Sequence, residues 1–598
     1  MTAETRTASG GGPHEEYRRR LETHRRESER RERQHRGLGN ARLAIVLIAA
    51  AMLWYRFDPL WLALPAAVFV ALLVLHEKVL RRLRRSRRAE KYYEQGIARL
   101  EDRWVGAGEP GERFRAGTHP YSEDLDLFGR GSVFELLCGA RTRAGEDTLA
   151  AWLNGPAPIE EVRARQKAVQ ELRGMLDLRE DLALLGEDIR SGVHAEELAA
   201  WGRERPVLEG VGPRLTALFL ALLLVGVVAG WAVGALPPQL ILLVLAAEAG
   251  FSLRYRKQVQ HVVESVERPS RDLALLSQIL VRMERERFTS ARLMELRAML
   301  DTDGHPPSWQ IARLHRWIEL LDSRDHLLMR VIGPPLLWTT QIAFAIENWR
   351  ARCGRSVGPW LTALGEMEAL CSLARYAYEH PNDPFPQLIE GGACYDGVEL
   401  GHPLLPEEKM VRNSLLLDEK LALLVVSGSN MSGKSTLLRT VGVNAVLAFA
   451  GAPVRAVALK LSPLSVGASI RVTDSLRGGS SRFYAEITRL RQIVDLAMEG
   501  RPVLFLLDEL LHGTNSHDRR IGAEAVVREL LTRGAIGLLT THDLALADIA
   551  EALAPRAANV HFEDHLVNGR ITFDYKMQKG VVRKSNALEL MRSVGLDV

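Results

Sequence analysis

Two stretches of this chain abandon charged residues almost entirely. The first runs from Leu43 to Tyr55, breaks at Arg56, Phe57, Asp58 and Pro59, and resumes from Leu60 to Leu75. Apolar runs split by a polar, proline-containing turn predict a helical hairpin. Each arm is shorter than the roughly 20 residues that span a bilayer, but Trp54, Tyr55 and Trp61 stand at the turn, where amphipathic rings favour a membrane interface. The second stretch runs from Leu215 to Leu236, turns at Pro237 and Pro238, and returns from Leu240 to Leu253. Its first arm is long enough to cross alone. Arginines from Arg25 to Arg36 precede the first hairpin, and Lys78 and Arg81 to Arg88 follow it; Arg214 precedes the second, and Arg254, Arg256 and Lys257 follow. Positive charge on both sides of each hairpin predicts cytoplasmic termini, cytoplasmic soluble regions and only tight turns outside. The charged segment ahead of Leu43 argues against a cleaved signal peptide. Glu248 in the last arm is costly in hydrocarbon and is expected to face a helix neighbour rather than mark a transport path. A third apolar stretch, Leu327 to Ile346, holds Arg330, Pro334, Pro335 and Gln341 and reads as a core or interfacial helix.

Elsewhere the texture is soluble. The segment up to Asn40 is rich in Glu and Arg and reads as a flexible lead into a solvated helix. From Phe128 to about Ile189, and again from Val263 to about Tyr378, apolar positions recur at helical spacing. Beyond Pro384, short apolar runs (Leu421 to Val426, Val503 to Leu507, Ile536 to Thr540) alternate with helical stretches, which predicts an α/β domain with a mainly parallel sheet. Over 598 residues, 78 Lys and Arg against 74 Asp and Glu give a net charge of +4, so any charge-driven function is local. The 4 cysteines, Cys138, Cys353, Cys371 and Cys394, are too scattered for a disulfide scaffold or a zinc ribbon and suit a reducing compartment.

The chemistry lies in the last third. A buried-strand run leads into Gly428-Ser429-Asn430-Met431-Ser432-Gly433-Lys434-Ser435-Thr436. This satisfies the P-loop pattern in its required context of strand, loop and helix. Its backbone N–H groups and helix N-terminus suit phosphate oxygens, Lys434 suits the β- and γ-phosphates, and Ser435 suits Mg²⁺. A second apolar strand ends in Asp508 and Glu509. Asp508 is expected to hold Mg²⁺, usually through water, and Glu509 to orient or deprotonate the attacking water. Thr540, Thr541 and His542 end a further strand, where open α/β sheets place ligands, and His542 is expected to contact the γ-phosphate and the nucleophilic water.

These segments resemble the MutS mismatch-repair ATPases, in which an Asn-Met pair sits inside the P-loop. The resemblance extends to Gly451 to Ala456 after the P-loop helix, to Asp508 to Asn515 as Walker B strand and D-loop, to Gly401-His402-Pro403 at the domain start and to Gly580 to Ser585 near the end. Ser480 to Glu486 is similar to the family's signature segment, which implies that Ser480 and Ser481 reach the γ-phosphate bound by an opposite subunit. The same register implies an adenine-stacking role for Tyr575. Upstream, Asp126 to Leu172 resembles the start of the family's helical core, and Ala363 to Leu370 the lever leading into the ATPase.

The departures are informative. No phenylalanine here is followed two residues later by Glu, so the family's mispair-stacking wedge is absent. The second hairpin occupies a stretch comparable to the family's DNA clamp. Ser429 and Ser432 replace a proline and a glycine common in the family loop, which keeps the phosphate-binding backbone feasible.

The expected fold is therefore an ABC-type, MutS-like α/β P-loop NTPase domain with an all-α core and lever and two transmembrane hairpins. The expected boundaries are a cytoplasmic tail at 1–40, hairpins at 41–76 and 213–253, a basic helical linker at 77–120, core helices at 121–212 and 254–385, and the ATPase at 386–598. The two apolar hairpins and their basic flanks predict a multi-pass inner-membrane protein; the resemblance implies a homodimer that binds and hydrolyses ATP with Mg²⁺ and uses no other small-molecule substrate, and the missing wedge implies that any DNA binding has little mismatch preference. Two alternatives are a nucleotide-gated membrane scaffold or remodelling ATPase with no DNA role, and an ABC-type transporter half. Against the latter, minimal external loops make a poor translocation path and the signature segment lacks an L-S-G-G-Q run.

Overall fold

Beyond Pro384 the alternating pattern builds two sheets. The strands are β1 (Gln387–Leu388), β2 (Tyr395–Leu400), β3 (Asn413–Leu417), β4 (Leu423–Ser427), β5 (Ala458–Leu461), β6 (Ser465–Ser469), β7 (Val503–Asp508), β8 (Ile536–Thr541), β9 (Ala557–Val567) and β10 (Arg570–Lys579). The larger sheet has the order β10-β9-β4-β8-β7-β6. It is parallel except for β10, which returns antiparallel on β9. The smaller sheet has the order β1-β5-β2-β3. β4 lies inside the larger sheet, with Val426 opposite Thr540 on one side and Val560 on the other. Every residue of β4 and β8 is buried, which is why both read as unbroken apolar runs rather than alternating ones.

The structure, a computed structural model, describes residues 11–190, 194–208, 210–325, 327–429, 431–471, 482–511, 514–567 and 570–582. It forms two compact units: Met1–Gly139, Leu149–Leu176 and Cys371–Val598 make one, and Ala140–Thr148 and Asp177–Leu370 the other. The first contains both sheets; the second is built of helices.

In the first unit, the helices Pro13–Trp54 and Ala63–Leu100 pack side by side through most of their length. Asp58 accepts the Leu60 N–H at 2.9 Å in the turn between them. The flexible lead expected up to Asn40 gives way to helix at Pro13, and that helix is not wholly solvated. Tyr17 and Leu21 are buried with Tyr93 and Ile97 of the returning helix. Pairs one turn apart, such as Glu16 with Arg20 and Glu27 with Arg31, hold charge along the helix while Tyr17 meets Tyr93 edge-on at 5.5 Å. The expected basic linker likewise continues the apolar arm as one helix to Leu100.

In the second unit, Val211–Ala232 pairs with the first part of Gln239–Arg285 around Leu224, Val227 and Val244. Glu248 is buried, as expected of an acid facing neighbours. The Leu327 to Ile346 stretch is two helices, Leu327–Ile332 and Trp338–Cys353, because Pro334 and Pro335 lack the N–H groups that would carry one through. The second buries Ile342, Phe344, Ile346 and Trp349 as core, whereas Val331 and Ile332 are exposed.

Among the described residues, three segments are long and apolar enough to cross a membrane: Pro13–Trp54, Pro59–Leu100 and Gly212–Ala232. The return arm after Pro238 is not among them, since Glu248 interrupts it and charge resumes at Arg254.

Candidate nucleotide site

β4 delivers the chain into the phosphate loop and the Lys434–Ala450 helix carries it away. Gly433 caps that helix at φ +102°, and a Cβ there would stand 3.1 Å from the Tyr575 ring, so both backbone conformation and space require glycine. The helix is anchored from behind. Buried Asn444 donates to Gly401 O at 2.9 Å and accepts the Arg455 N–H at 2.8 Å, and Tyr395 donates its hydroxyl to Val441 O at 3.1 Å.

Lys434 Nζ donates to Gly428 O at 2.9 Å and Ser429 O at 2.8 Å and lies 3.9 Å from Glu509 Oε1. Burial holds its pKa below the usual lysine value, against the opposing pull of Glu509 and Asp508. Ser435 Oγ donates to Asp508 Oδ2 at 2.6 Å, and Thr540 Oγ1 bonds the other carboxylate oxygen. This hydroxyl and carboxylate fit a hard cation that keeps waters and phosphate oxygens as its remaining ligands. No group of three or more His, Cys, Asp and Glu that would make an all-protein metal cage occurs among the described residues. Ser429 Oγ and Ser432 Oγ are buried without a hydrogen-bond partner among the described residues, as hydroxyls lining a phosphate cradle would be.

Glu509 Oε1 lies 3.2 Å from His542 Nδ1, so the ends of β7 and β8 bring the two expected catalytic side chains together. The Glu509 N–H bonds Thr540 Oγ1 at 3.1 Å, which fixes the strand end. Glu509 (φ +47°), Leu511 (φ +55°), Met431 (φ +69°) and Tyr575 (φ +55°) all adopt left-handed backbone, which costs about 1–3 kcal/mol each and clusters at functional sites. The surrounding cavity measures about 870 Å³ and is lined by Met431, Lys434, Ser435, Asp508, Glu509 and Tyr575 among others, a volume suited to a nucleotide.

The structure thus brings together Gly428, Ser429, Met431, Ser432, Gly433, Lys434, Ser435, Thr436, Asp508, Glu509, His542 and Tyr575. Asn430, Ser480 and Ser481 lie outside the described residues, as do His512, Gly513 and the Arg583 to Ser585 end of the terminal motif. Two positioning residues escape sequence reasoning. Asn413 donates to Tyr575 O at 2.9 Å and accepts the Met577 N–H at 2.8 Å, holding the bulge between Phe573 and Met577 that turns Tyr575 toward the loop. Buried Glu486, noted only as part of the signature segment, accepts the Leu511 N–H. Neither carries a local signal, because each bonds backbone remote in sequence.

Residues 424–597 match the family description MutS domain V. The chain is similar to Endonuclease MutS2 of Thermus thermophilus, 34% identical over 213 residues that cover 34% of this chain and 27% of that protein. It is also similar to DNA mismatch repair protein MutS of Natronomonas pharaonis, 33% identical over 244 residues, and to DNA mismatch repair protein MutS 2 of Halobacterium salinarum, 33% identical over 241; each match covers 39% of this chain and 27% of the relative. The similarity therefore spans about a quarter of these relatives' length. The P-loop, the β7 and β8 termini and Tyr575 all fall inside the matched region, so residues 424–597 are similar to MutS domain V.

Proposed function

We propose that this protein is a membrane-anchored ATPase that works as a homodimer, hydrolysing MgATP to ADP and phosphate to move its helical region. The observation that carries the hydrolytic reading is the meeting of Glu509 with His542 at 3.2 Å and with Lys434 at 3.9 Å, where Glu509 and Lys434 line one nucleotide-sized cavity. Ser435 and Asp508 would hold Mg²⁺, which when bound neutralises charge on the β- and γ-phosphates. The loop N–H groups and Lys434 bind and orient the phosphates. Glu509 accepts the proton of the attacking water, and His542, on the same carboxylate, orients that group. Tyr575 stacks on the adenine.

The names of the relatives support a DNA-linked role. With no wedge to pay for unstacking a mispair, binding by this chain rests on phosphate neutralisation, which is steeply salt-dependent and indifferent to mismatches. The basic stretch Arg282 to Arg292 offers less for this than its composition suggests: Arg282 pairs with Asp181 and Glu286, and Arg292 with Glu366 and Glu295, leaving Arg285 and Arg287 exposed. The testing experiment is ATPase activity of the detergent-purified full chain with and without matched, mismatched and branched DNA. Stimulation by all three, within about tenfold of one another, is the expected result. Turnover that no DNA alters would favour a remodelling ATPase without a DNA role.

Support for the membrane reading comes from the apolar segments themselves. Leu43, Leu47, Leu53, Leu60, Leu64, Leu215, Phe219 and Leu222 are all exposed, an apolar surface far too large to leave in water. Cysteines introduced near Asp58 and Pro238 are expected to react with an impermeant reagent from outside intact cells. Labelling of a cysteine near Lys434 under the same conditions would reverse the topology.

A further inference from the structure

The second unit contains a cavity of about 120 Å³ that belongs to no part of the nucleotide site. Three helices each contribute an arginine to its lining: Arg214 from the first turn of Val211–Ala232, Arg313 from Pro307–Asp322 and Arg352 from the last turn of Trp338–Cys353. Among the described residues, none of the three forms an ion pair, whereas Arg282, Arg292 and Arg350 of the same unit each hold a carboxylate. Asp303 also lines the cavity, so its lining carries three solvent-exposed arginines and one acidic residue. Like charges gathered from separate elements repel one another, and a bound anion removes that cost.

The walls narrow the choice of anion. Trp309 is engaged by the His305 ring at 4.2 Å and by the Arg313 guanidinium 5.6 Å from its centroid, which leaves it poorly placed to stack on a nucleobase. Trp349 is buried and donates Nε1–H to Gln310 O at 2.8 Å. Burial pushes the Cys353 thiol up to about 11, so the thiol stays protonated and the cavity offers recognition rather than nucleophilic chemistry. Planar guanidinium forks are suited to the paired oxygens of a phosphate.

We propose that Arg214, Arg313 and Arg352 form a phosphate-binding site, occupied either by free phosphate or by the phosphodiester of an anionic lipid. The lipid source rests on the membrane reading, because Arg214 immediately precedes the apolar run that begins at Leu215; the free-phosphate source does not.

The test is titration calorimetry of inorganic phosphate into the full-length protein in phosphatidylcholine nanodiscs. Because the P-loop also binds phosphate, Lys434→Ala provides the reference. Phosphate binding that survives Lys434→Ala and weakens at least tenfold in Arg313→Gln/Arg352→Gln is the expected result. Arg214→Gln, on a different helix, should weaken it in the same direction, and nucleotide binding by each arginine variant verifies folding. Replacing part of the phosphatidylcholine with phosphatidylglycerol separates the sources: a tenfold rise in apparent Kd for free phosphate assigns the site to lipid, and an unchanged isotherm assigns it to the free anion. Loss of all phosphate binding with Lys434→Ala, or arginine variants that bind as the wild type does, would overturn the site.

Discussion

Replacing Glu509 with Gln is expected to slow ATP turnover by 10²–10⁴-fold, the usual worth of a general base, while nucleotide stays bound. The amide keeps the shape of the side chain but cannot take the proton of the attacking water, and it leaves Lys434, Ser435 and Asp508 in place. Lys434→Ala should have the complementary phenotype. It removes charge-assisted hydrogen bonds worth about 1.5–3 kcal/mol, roughly 10- to 150-fold in nucleotide affinity. Single-turnover hydrolysis and nucleotide titrations separate the two. A Glu509→Gln protein that hydrolyses within threefold of wild type would remove Glu509 from the chemistry. If Ser480 and Ser481 complete the site of the partner subunit, mixing a Ser480→Ala/Ser481→Ala subunit with a Lys434→Ala subunit should restore about one working site per dimer. No recovery would mean that each subunit hydrolyses alone.

Glu379→Ala is expected to cost about 3–5 kcal/mol of stability, because it strands buried cations rather than simply deleting a contact. Arg99 grips Glu379 with Nη2 to Oε1 at 2.7 Å and Nε to Oε2 at 2.9 Å, and the two side chains are 10% and 1% exposed. Tyr17 donates its hydroxyl to the same carboxylate at 3.3 Å, and Arg375 lies 4.0 Å away. The cluster therefore ties both helices of the N-terminal hairpin to the segment that leads into the sheets. Burial alone would raise the Glu379 pKa, but the charge and hydrogen bonds of Arg99, with Arg375 behind them, hold it below the usual carboxylate value. Burial and the nearby Arg99 charge bring Arg375 down to about 10.

The sign of the pH dependence follows from the carboxylate. Its folded pKa lies below its unfolded one, so the folded state binds fewer protons, and stability rises with pH between the two values. The contribution is complete above the unfolded pKa of roughly 4.3 and is lost as pH falls through the lower folded value. Urea midpoints at pH 7, 5 and 4 measure this: the gap between wild type and Glu379→Ala should be widest at pH 7 and narrow toward pH 4. Equal midpoints at pH 7 would show that the pair contributes nothing.

Some of this molecule is written locally. The glycine-rich loop is legible because strand, turn and helix are contiguous, and a geometry suited to phosphate is a property of that short backbone segment. Asp508, Glu509 and His542 are legible for a related reason: buried parallel strands are apolar to their ends, so polar residues immediately after them stand at the sheet edge where ligands bind. Apolar arms without charge, flanked by arginine, are equally local, although the pattern did not show that each arm and its charged flank form one continuous helix. It treated the segments on either side of the first hairpin as a tail and a linker, because solvated charges dominate their composition and hide the single face carrying Tyr17, Leu21, Tyr93 and Ile97.

What tertiary structure alone decided are the meetings between distant segments. Tyr575 approaches Gly433 because β10 bulges and Asn413 holds the bulge, a register effect with no signature in the residues around Tyr575. Arg99 finds Glu379, and Arg214, Arg313 and Arg352 converge on one cavity, through the relative rotation of packed helices. Helical periodicity specifies which face of each helix is apolar, but a charged residue at the border of that face reaches a carboxylate, solvent or another cation according to which helix it packs against. That choice is made by side-chain interdigitation across the whole core, which no local window of sequence contains.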